Sequence, residues 1–358
     1  MLKLRIKSPV FQALVFTASF MLLPVTGLAK QPAVLAPTST VADLQEVLEI
    51  EVTGHPALAE TYQQRIVEPV RHPGYIWRVE PEGMGILPLN FRTVRDPLKR
   101  AAWKPGTTGL TGLRLSGSAN PVPGQMKALV RELRKNAGSG PIYIVDLRQE
   151  SHGYFNDKSV SWYGKDNWAN VGLTTEAVLK DEGKRLALTQ GKTVKTTEFA
   201  GGKAVNAGSM LVTAPLTEAV VVKAAGARYV RFTLTDQVAP NPEQVDAFLK
   251  FYKNLPQDAW VHFHCQAGMG RTTTFMTMVD IINNAAMVPV EDIAARQYLL
   301  NGSNLLGDTG APGDDWHGSA KLDRARFIKY FYDYVQKYPK LNKSWSSWYA
   351  GQMAVAKK

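Results

Sequence analysis

The stretch Trp260-Val261-His262-Phe263-His264-Cys265-Gln266-Ala267-Gly268-Met269-Gly270-Arg271-Thr272 constrains this chain more than any other, and an apolar, helix-like run from Thr273 to Ala286 follows it at once. An apolar strand, a tight loop with two glycines and a helix must therefore succeed one another within a few residues. Gly268 and Gly270 let the backbone curl so that successive N–H groups converge on one point. The helix N-terminus adds its partial positive charge and unpaired N–H groups there, and both favour a dianion and a thiolate. A nucleophile, Cys265, and an anion cradle coincide.

Cys265 is the sole cysteine, so no internal disulfide can hold the fold. The chain has 358 residues, 45% of them hydrophobic, enough for one large domain or for a domain carrying an insertion. At the N-terminus Lys3, Arg5 and Lys7 precede an apolar run from Val10 to Leu23, then Pro24, Gly27 and Ala29. That is the pattern of a signal peptide cleaved after Ala29; the apolar run is too short for a span, so export without a stable membrane anchor is expected, to the periplasm or beyond. Losing those three cations reduces the formal charge of +11 but leaves the mature chain basic. A basic surplus suits nucleic acid, an anionic membrane or a polyanionic small molecule, and its sign alone does not choose among them; Lys and Arg are spread along the chain rather than clustered, which argues against nucleic acid.

In chain order, residues 30–86 read as an extended N-terminal region dense in Pro and Gly. Met126, Leu129, Val130 and Leu133 recur at helical spacing, a helix stop follows at Gly138, and Ile142 to Val145 forms an apolar strand. The strand ends in Asp146-Leu147-Arg148-Gln149-Glu150-Ser151-His152, polar groups where α/β sheets place their sites. From Tyr154 to Pro215 the rhythm breaks into short strands at Ser159–Tyr163 and Lys192–Thr197 and one helix at Thr175–Leu188, an inserted, mostly β element over residues 154–215. It resumes with a helix at Thr217–Ala225 and a strand at Tyr229–Leu234 that leads into Thr235-Asp236-Gln237-Val238-Ala239-Pro240. Asn241 and Pro242 open the next helix. Val290–Leu300 and Leu322–Tyr338 read as helices on either side of a Gly- and Asp-rich loop, Gly302–Gly318. Strands alternating with helices predict an α/β core, residues 87–153 and 216–358, around a mostly parallel sheet.

Hydrolysing a phosphate monoester needs an anionic nucleophile, a planar cation matched to the phosphoryl oxygens and a proton for the leaving oxygen. Cys265, with His264 beside it, suits the first role. Arg271 supplies a bidentate fork. Asp236, in the loop after the preceding strand, is the candidate acid. The hydroxyl of Thr272 can donate to the sulfur as it departs. The six histidines form no paired ligand motif, and Asp314-Asp315 is a weak metal signal, so neither metal nor cofactor is expected. Read singly, Cys265 is a small buried hydrophobe and Arg92 a solvated surface charge, while Asp146 and Arg148 are an ion pair; only the coincidence of strand, Cys, glycines, Arg, Thr and helix argues otherwise.

His264-Cys265, five intervening residues, and Arg271-Thr272 between a strand and a helix resemble the signature of the cysteine-dependent phosphatases. With Asn90-Phe91-Arg92, Asp146 to His152, Ser161-Trp162-Tyr163, Trp168-Ala169-Asn170, and Asp236 with Pro240, the chain from Leu87 to Tyr338 resembles the protein-tyrosine-phosphatase-like phytases. The resemblance implies a protein tyrosine phosphatase-like core with an inserted partial β-barrel. It also implies stepwise dephosphorylation of myo-inositol hexakisphosphate through a cysteinyl-phosphate. The phosphate would sit on the loop residues Gln266, Ala267, Gly268, Met269 and Gly270. Arg92, Asp146, His152, Lys165 and Lys321 would meet the substrate's other phosphates. Gln237 stands where some members carry a histidine, which bears on substrate range. A tyrosine or dual-specificity protein phosphatase is the alternative within this chemistry, and a non-catalytic binder of inositol phosphates or anionic lipid the alternative outside it.

Overall fold

A computed structural model describes residues 76–200, 203–307 and 316–356. The signal-peptide segment, most of the extended region and Asp314-Asp315 lie outside the described residues. The strands are β1 (Ile76–Val79), β2 (Arg92–Thr93), β3 (Leu115–Ala119), β4 (Ile142–Asp146), β5 (His152–Phe155), β6 (Lys158–Tyr163), β7 (Thr193–Ala200), β8 (Lys203–Leu211), β9 (Pro215–Leu216), β10 (Arg228–Arg231) and β11 (Trp260–Cys265). The helices are α1 (Pro123–Ala137), α2 (Thr175–Ala187), α3 (Glu218–Ala224), α4 (Pro242–Lys253), α5 (Gly270–Asn284), α6 (Val290–Leu299), α7 (Trp316–Lys337) and α8 (Trp345–Ala356).

The core sheet runs β10-β4-β11-β3-β2. Its first four strands are parallel, and β2 closes the edge antiparallel to β3. The apolar runs of β4 and β11 are buried on both faces, as parallel strands require. On one side the i, i+3, i+4, i+7 stripe of α1, Met126, Leu129, Val130 and Leu133, packs with Ile142, Ile144, Val221, Val222 and Trp260. On the other, Phe248 of α4, Phe275 and Met276 of α5 and Phe331 of α7 close over Val145, Val261 and Phe263. The cap predicted at Asn241 is present, and it is a full capping box: Asn241 accepts from Gln244 N and the Gln244 side chain accepts in return.

Three local readings differ from the fold. The strand expected to reach Leu234 stops at Arg231, because Leu234 N turns back to Phe232 O and the chain leaves the sheet towards the acid loop. Helix α7 begins at Trp316, inside the stretch read as loop. Helix α8, which no reading of the sequence named, starts after Ser344, whose Oγ accepts from Ser347 N at 3.4 Å, and its first N–H groups, at Trp345 and Ser346, are capped from a distance by the Asp246 carboxylate at 2.7 and 3.2 Å.

The second sheet runs β8-β7-β1-β6-β5-β9, all antiparallel except β1 with β7. Trp77, Phe155, Val160, Leu186 and Val212 form its core. It is the mostly β element read between 154 and 215, yet it also takes β1 from before residue 87 and begins at His152. The pairing that recruits β1 is between residues far apart in the chain, and nothing in the local pattern of Ile76–Val79 announces it.

Candidate active site

Cys265 is the last residue of β11 and is buried. The loop after it is held open by its carbonyl groups, each tied on the outside. Asn120 N donates to Gln266 O (3.2 Å), Asn90 Nδ2 to Ala267 O (2.9 Å), Arg92 Nη1 to Gly268 O (2.8 Å) and Thr273 N to Met269 O (2.8 Å). Carbonyls held by these donors leave the intervening N–H groups available to an anion, and α5 starts at Gly270 within the same loop, adding its free N–H groups. Thr272 Oγ1 donates to Cys265 Sγ at 3.2 Å, the contact expected of a group that eases thiolate departure. Gly268 holds φ at 71°, and a Cβ there would lie 2.2 Å from Ser118 C and 2.3 Å from Ala119 N. Gly268→Ala must therefore push the loop off β3, and a shift of about 1 Å in the cradle should lower kcat by roughly 10²-fold. Steady-state rates beside an unchanged circular dichroism spectrum check this; wild-type kcat would refute it.

Arg271 is buried and clamped on one edge. Nη1 donates to Glu150 Oε2 (2.7 Å) and Leu234 O (3.1 Å), and Nη2 to Glu150 Oε1 (2.9 Å). On the other edge Nε is buried and finds no hydrogen-bond acceptor among the described residues, lying 3.3 Å from Asp236 Oδ1. A fork with one edge fixed by a carboxylate and the other unsatisfied is pre-organised for a bidentate anion. Glu150 is the junction of a buried chain of alternating charge. Arg148 Nε donates to it at 2.8 Å, and Arg148 in turn holds Glu80, just past β1, through Nη1 (2.9 Å) and Nη2 (2.5 Å). Burial alone would push Glu80 up, but the Arg148 and Arg78 guanidiniums outweigh it and hold it at about 2. The same opposition, with Arg271 and Arg148 prevailing over burial, holds Glu150 well below the usual carboxylate range.

Asp236 stands at the edge of this centre and is partly exposed. Asn167 Nδ2 donates to its Oδ2 (2.9 Å), Gln237 N to its Oδ1 (2.9 Å) and Trp168 Nε1 to its backbone O (3.1 Å). Cys265, Thr272, Arg271 and Asp236 are thus brought together, as are Gln266, Ala267, Gly268, Met269 and Gly270 around them.

The outer candidates divide. Arg92 is 1% exposed and spends itself on Gly268 O, Asn90 O and Thr273 Oγ1, behind the cradle. It holds the loop's backbone instead of reaching into solvent for a second phosphate. Asp146, His152 and His264 are fully buried as well. Glu218 of α3 joins the two histidines: Oε2 lies 3.0 Å from His152 Nε2 and Oε1 2.9 Å from His264 Nε2, the latter off the hydrogen-bond axis. None of the three is open to a bound substrate; the polar end of β4 is filled by its own ion network. The Lys165 side chain lies outside the described residues. Lys321 is exposed on α7. One turn on, Arg324 lies against the loop, its Nη1 2.7 Å from where a Cβ of Gly270 would be, and was not nominated from sequence. Glu150, inside the polar stretch that follows β4, and Asn167 join the centre as well; neither is a sequence candidate, since only their contacts with Arg271 and Asp236, on other elements, set them apart from their neighbours.

Asp146, His152 and Glu218 offer three ligand atoms within 4.8 Å of one another. The donor set fits an imidazolium better than a metal ion: His152 Nδ1 faces Glu150 O at 2.9 Å, its Nε2 faces two carboxylates, and Arg231 Nε lies 3.2 Å from Asp146 Oδ2. Burial and Arg148 oppose protonation of His152, yet Asp146 and Glu182 prevail and raise it to about 10. Stability from a raised histidine is fully present below its unfolded value of about 6.5 and is lost as pH rises towards 10; that from Glu80 is present above about 4.5 and lost as pH falls towards 2. Thermal unfolding should therefore show its highest Tm between about pH 4.5 and 6.5, falling on both sides, and His152→Gln should lose the alkaline decline. An equal alkaline slope in that variant would contradict the assignment.

The pattern of the protein-tyrosine-phosphatase-like phytases, described as acting on inositol hexakisphosphate, matches residues 145–283. Among solved structures, that of a tandemly repeated protein tyrosine phosphatase-like phytase from Mitsuokella multacida is 37% identical with a TM-score of 0.73, covering 78% of this chain and 50% of its own. A myo-inositol phosphatase of the same type and organism, in complex with myo-inositol-(1,3,4,5)-tetrakisphosphate, is 35% identical with a TM-score of 0.74, over 81% and 52%. A phytase of this type from Bdellovibrio bacteriovorus is 32% identical with a TM-score of 0.62, over 78% and 96%. The effector protein hopD2 of Pseudomonas syringae pv. tomato is 31% identical over 270 residues, 73% of this chain and 56% of its own. The chain thus spans about half the length of the Mitsuokella proteins and of hopD2.

Proposed function

Because the chain belongs to the protein-tyrosine-phosphatase-like phytase family, we propose that it is a cysteine-dependent phosphatase of inositol polyphosphates, acting on myo-inositol hexakisphosphate and its lower esters. The observation that carries this reading is the buried Cys265 Sγ, contacted by Thr272 Oγ1, on one loop with Arg271, whose buried Nε has no hydrogen-bond partner among the described residues. A phosphoryl group there would have its equatorial oxygens on the amides and the guanidinium, with phosphorus in line with the sulfur. Sγ forms the S–P bond as the ester C–O–P bond breaks at phosphorus, and Asp236 gives its proton to the departing alkoxide. Water then attacks the phosphocysteine, Asp236 takes its proton, and Thr272 Oγ1 donates to the leaving sulfur. The fixed loop supplies the reaction, and the basic balance of the chain suits a substrate with several phosphates. The complex of a related phosphatase with an inositol tetrakisphosphate supports that substrate class. Export rests on the charged, apolar and small-residue pattern of residues 1–29.

A second reading, dephosphorylation of a phosphotyrosine protein, uses the same loop chemistry, and one relative is an effector protein. Initial rates on inositol hexakisphosphate and on a phosphotyrosine peptide separate the two, run with and without EDTA. The proposal expects faster, chelator-insensitive release from the inositol ester. Preference for the peptide would favour the second reading, and loss of activity in EDTA would sink both.

A further inference from the structure

We infer that the turn Gly164–Val171, between β6 and α2 within the inserted β element, is part of the proton-transfer apparatus, with Asn167 as the positioning residue of Asp236. This rests on the phosphatase reading above and extends it to a residue outside the loop. The turn is bent for the purpose. Asp166 and Asn167 hold φ at 59° and 65°, two consecutive non-glycine residues in the left-handed region, and Asn167 N closes the turn on Gly164 O at 2.9 Å. Such strain persists where the surroundings over-determine it.

Here the surroundings are the catalytic carboxylates. The Asn167 side chain is buried, its Nδ2 donates to both Asp236 Oδ2 (2.9 Å) and Glu150 Oε1 (3.0 Å), and its Oδ1 faces Arg78 Nη2 at 3.5 Å. The amide orientation follows from this, since its NH₂ alone can sit between two carboxylates. The next residue adds an apolar latch: Trp168 packs with Val238 of the acid loop and Ala320 of α7, and donates from Nε1 to Asp236 O at 3.1 Å. The acid loop makes a left-handed turn at Gln237 (φ 70°), immediately after Asp236. Held from Oδ2 by Asn167, the carboxylate keeps Oδ1 towards Arg271, on the side where a leaving oxygen would stand.

A residue that only positions an acid matters in proportion to how badly the leaving group needs a proton. Asn167→Gly is the informative variant, because glycine adopts φ near 65° without strain and removes only the amide. It should lower kcat on inositol hexakisphosphate and on β-glycerophosphate by about tenfold or more, and on p-nitrophenyl phosphate, whose phenolate leaves without help, by less than about threefold. Added to Asp236→Asn, the same substitution should cost nothing further, since the acid it positions is gone. Equal losses on all three esters, an unchanged rate on the alkyl esters, or additive losses in the double variant would each overturn the inference. Near-normal turnover of the aryl ester reports that the variant is folded. The two alkyl esters keep the readings separable: a wild type that cleaves β-glycerophosphate but not inositol hexakisphosphate refutes the substrate proposal, and the Asn167 effect is then read on β-glycerophosphate.

Discussion

Cys265→Ser should leave a folded protein whose release of phosphate from inositol hexakisphosphate falls by roughly 10⁴-fold or more. The fold should survive because serine differs from cysteine by one atom, the site is buried at the end of a fully paired strand, and Thr272 Oγ1 can donate to a hydroxyl as it does to sulfur. The chemistry should not survive, because a hydroxyl at that point remains neutral where a thiol can ionise, and the surrounding amides then orient a phosphate that nothing attacks. Inositol hexakisphosphate should still bind, since Arg271 and the loop amides are untouched, so equilibrium dialysis would find a complex without products. Residual turnover within tenfold of wild type would mean that the nucleophile is another group or water, and the covalent route would fall. A quenched wild-type reaction should carry phosphate on Cys265 and on no other residue.

The candidate centre is legible because most of its parts are adjacent in sequence. Cys265, Gly268, Gly270, Arg271 and Thr272 lie within one strand–loop–helix crossing, so spacing alone fixes their meeting, and Asp236 follows from its place after the preceding strand. The α/β core was legible for the same reason: Met126 to Leu133 and Val245 to Leu249 carry their own period. What was hidden depends on distant pairing. β1 lines up with β6 and β7 across more than eighty residues of chain. Asp246 caps a helix a hundred residues later. Arg92, which the resemblance places at a second phosphate, holds the loop from behind instead, because its partners, Gly268 O and Thr273 Oγ1, lie on another element. Asp146 and His152 looked like site residues for a sound reason, their position at a strand end. There they meet α3 and β10, whose Glu218 and Arg231 satisfy them internally. A strand end full of charge is a functional site only where some of that charge is left over.

Glu150 is where the leftover charge is set, and Glu150→Gln should be the most disruptive single-atom exchange away from the loop. The carboxylate accepts two hydrogen bonds from Arg271, one from Arg148 and one from Asn167, all buried. A glutamine keeps the shape but removes the charge and turns an NH₂ towards a guanidinium. Breaking one partner of a buried ion network typically costs about 3–5 kcal/mol, because the opposite charge stays buried. Arg148 retains Glu80, so the unpaired cation is Arg271. Its Nε already lies 3.3 Å from Asp236, and with Glu150 neutral Asp236 becomes the only carboxylate paired with the fork among the described residues. The freed guanidinium should swing onto the acid, tying up both the phosphate's ligand and the leaving group's proton donor. The variant should therefore lose about 3–5 kcal/mol in urea unfolding and roughly 10²-fold in kcat on alkyl phosphates. Because the Glu150 carboxyl is held well below its ordinary range, the stability it adds is present above that range and drains away as pH falls. The gap between wild type and Glu150→Gln should accordingly narrow towards acid pH. A gap that stayed constant from pH 7 to pH 3, or a kcat that survived the substitution, would show that the loop alone orients Arg271 and that Glu150 merely fills space behind it.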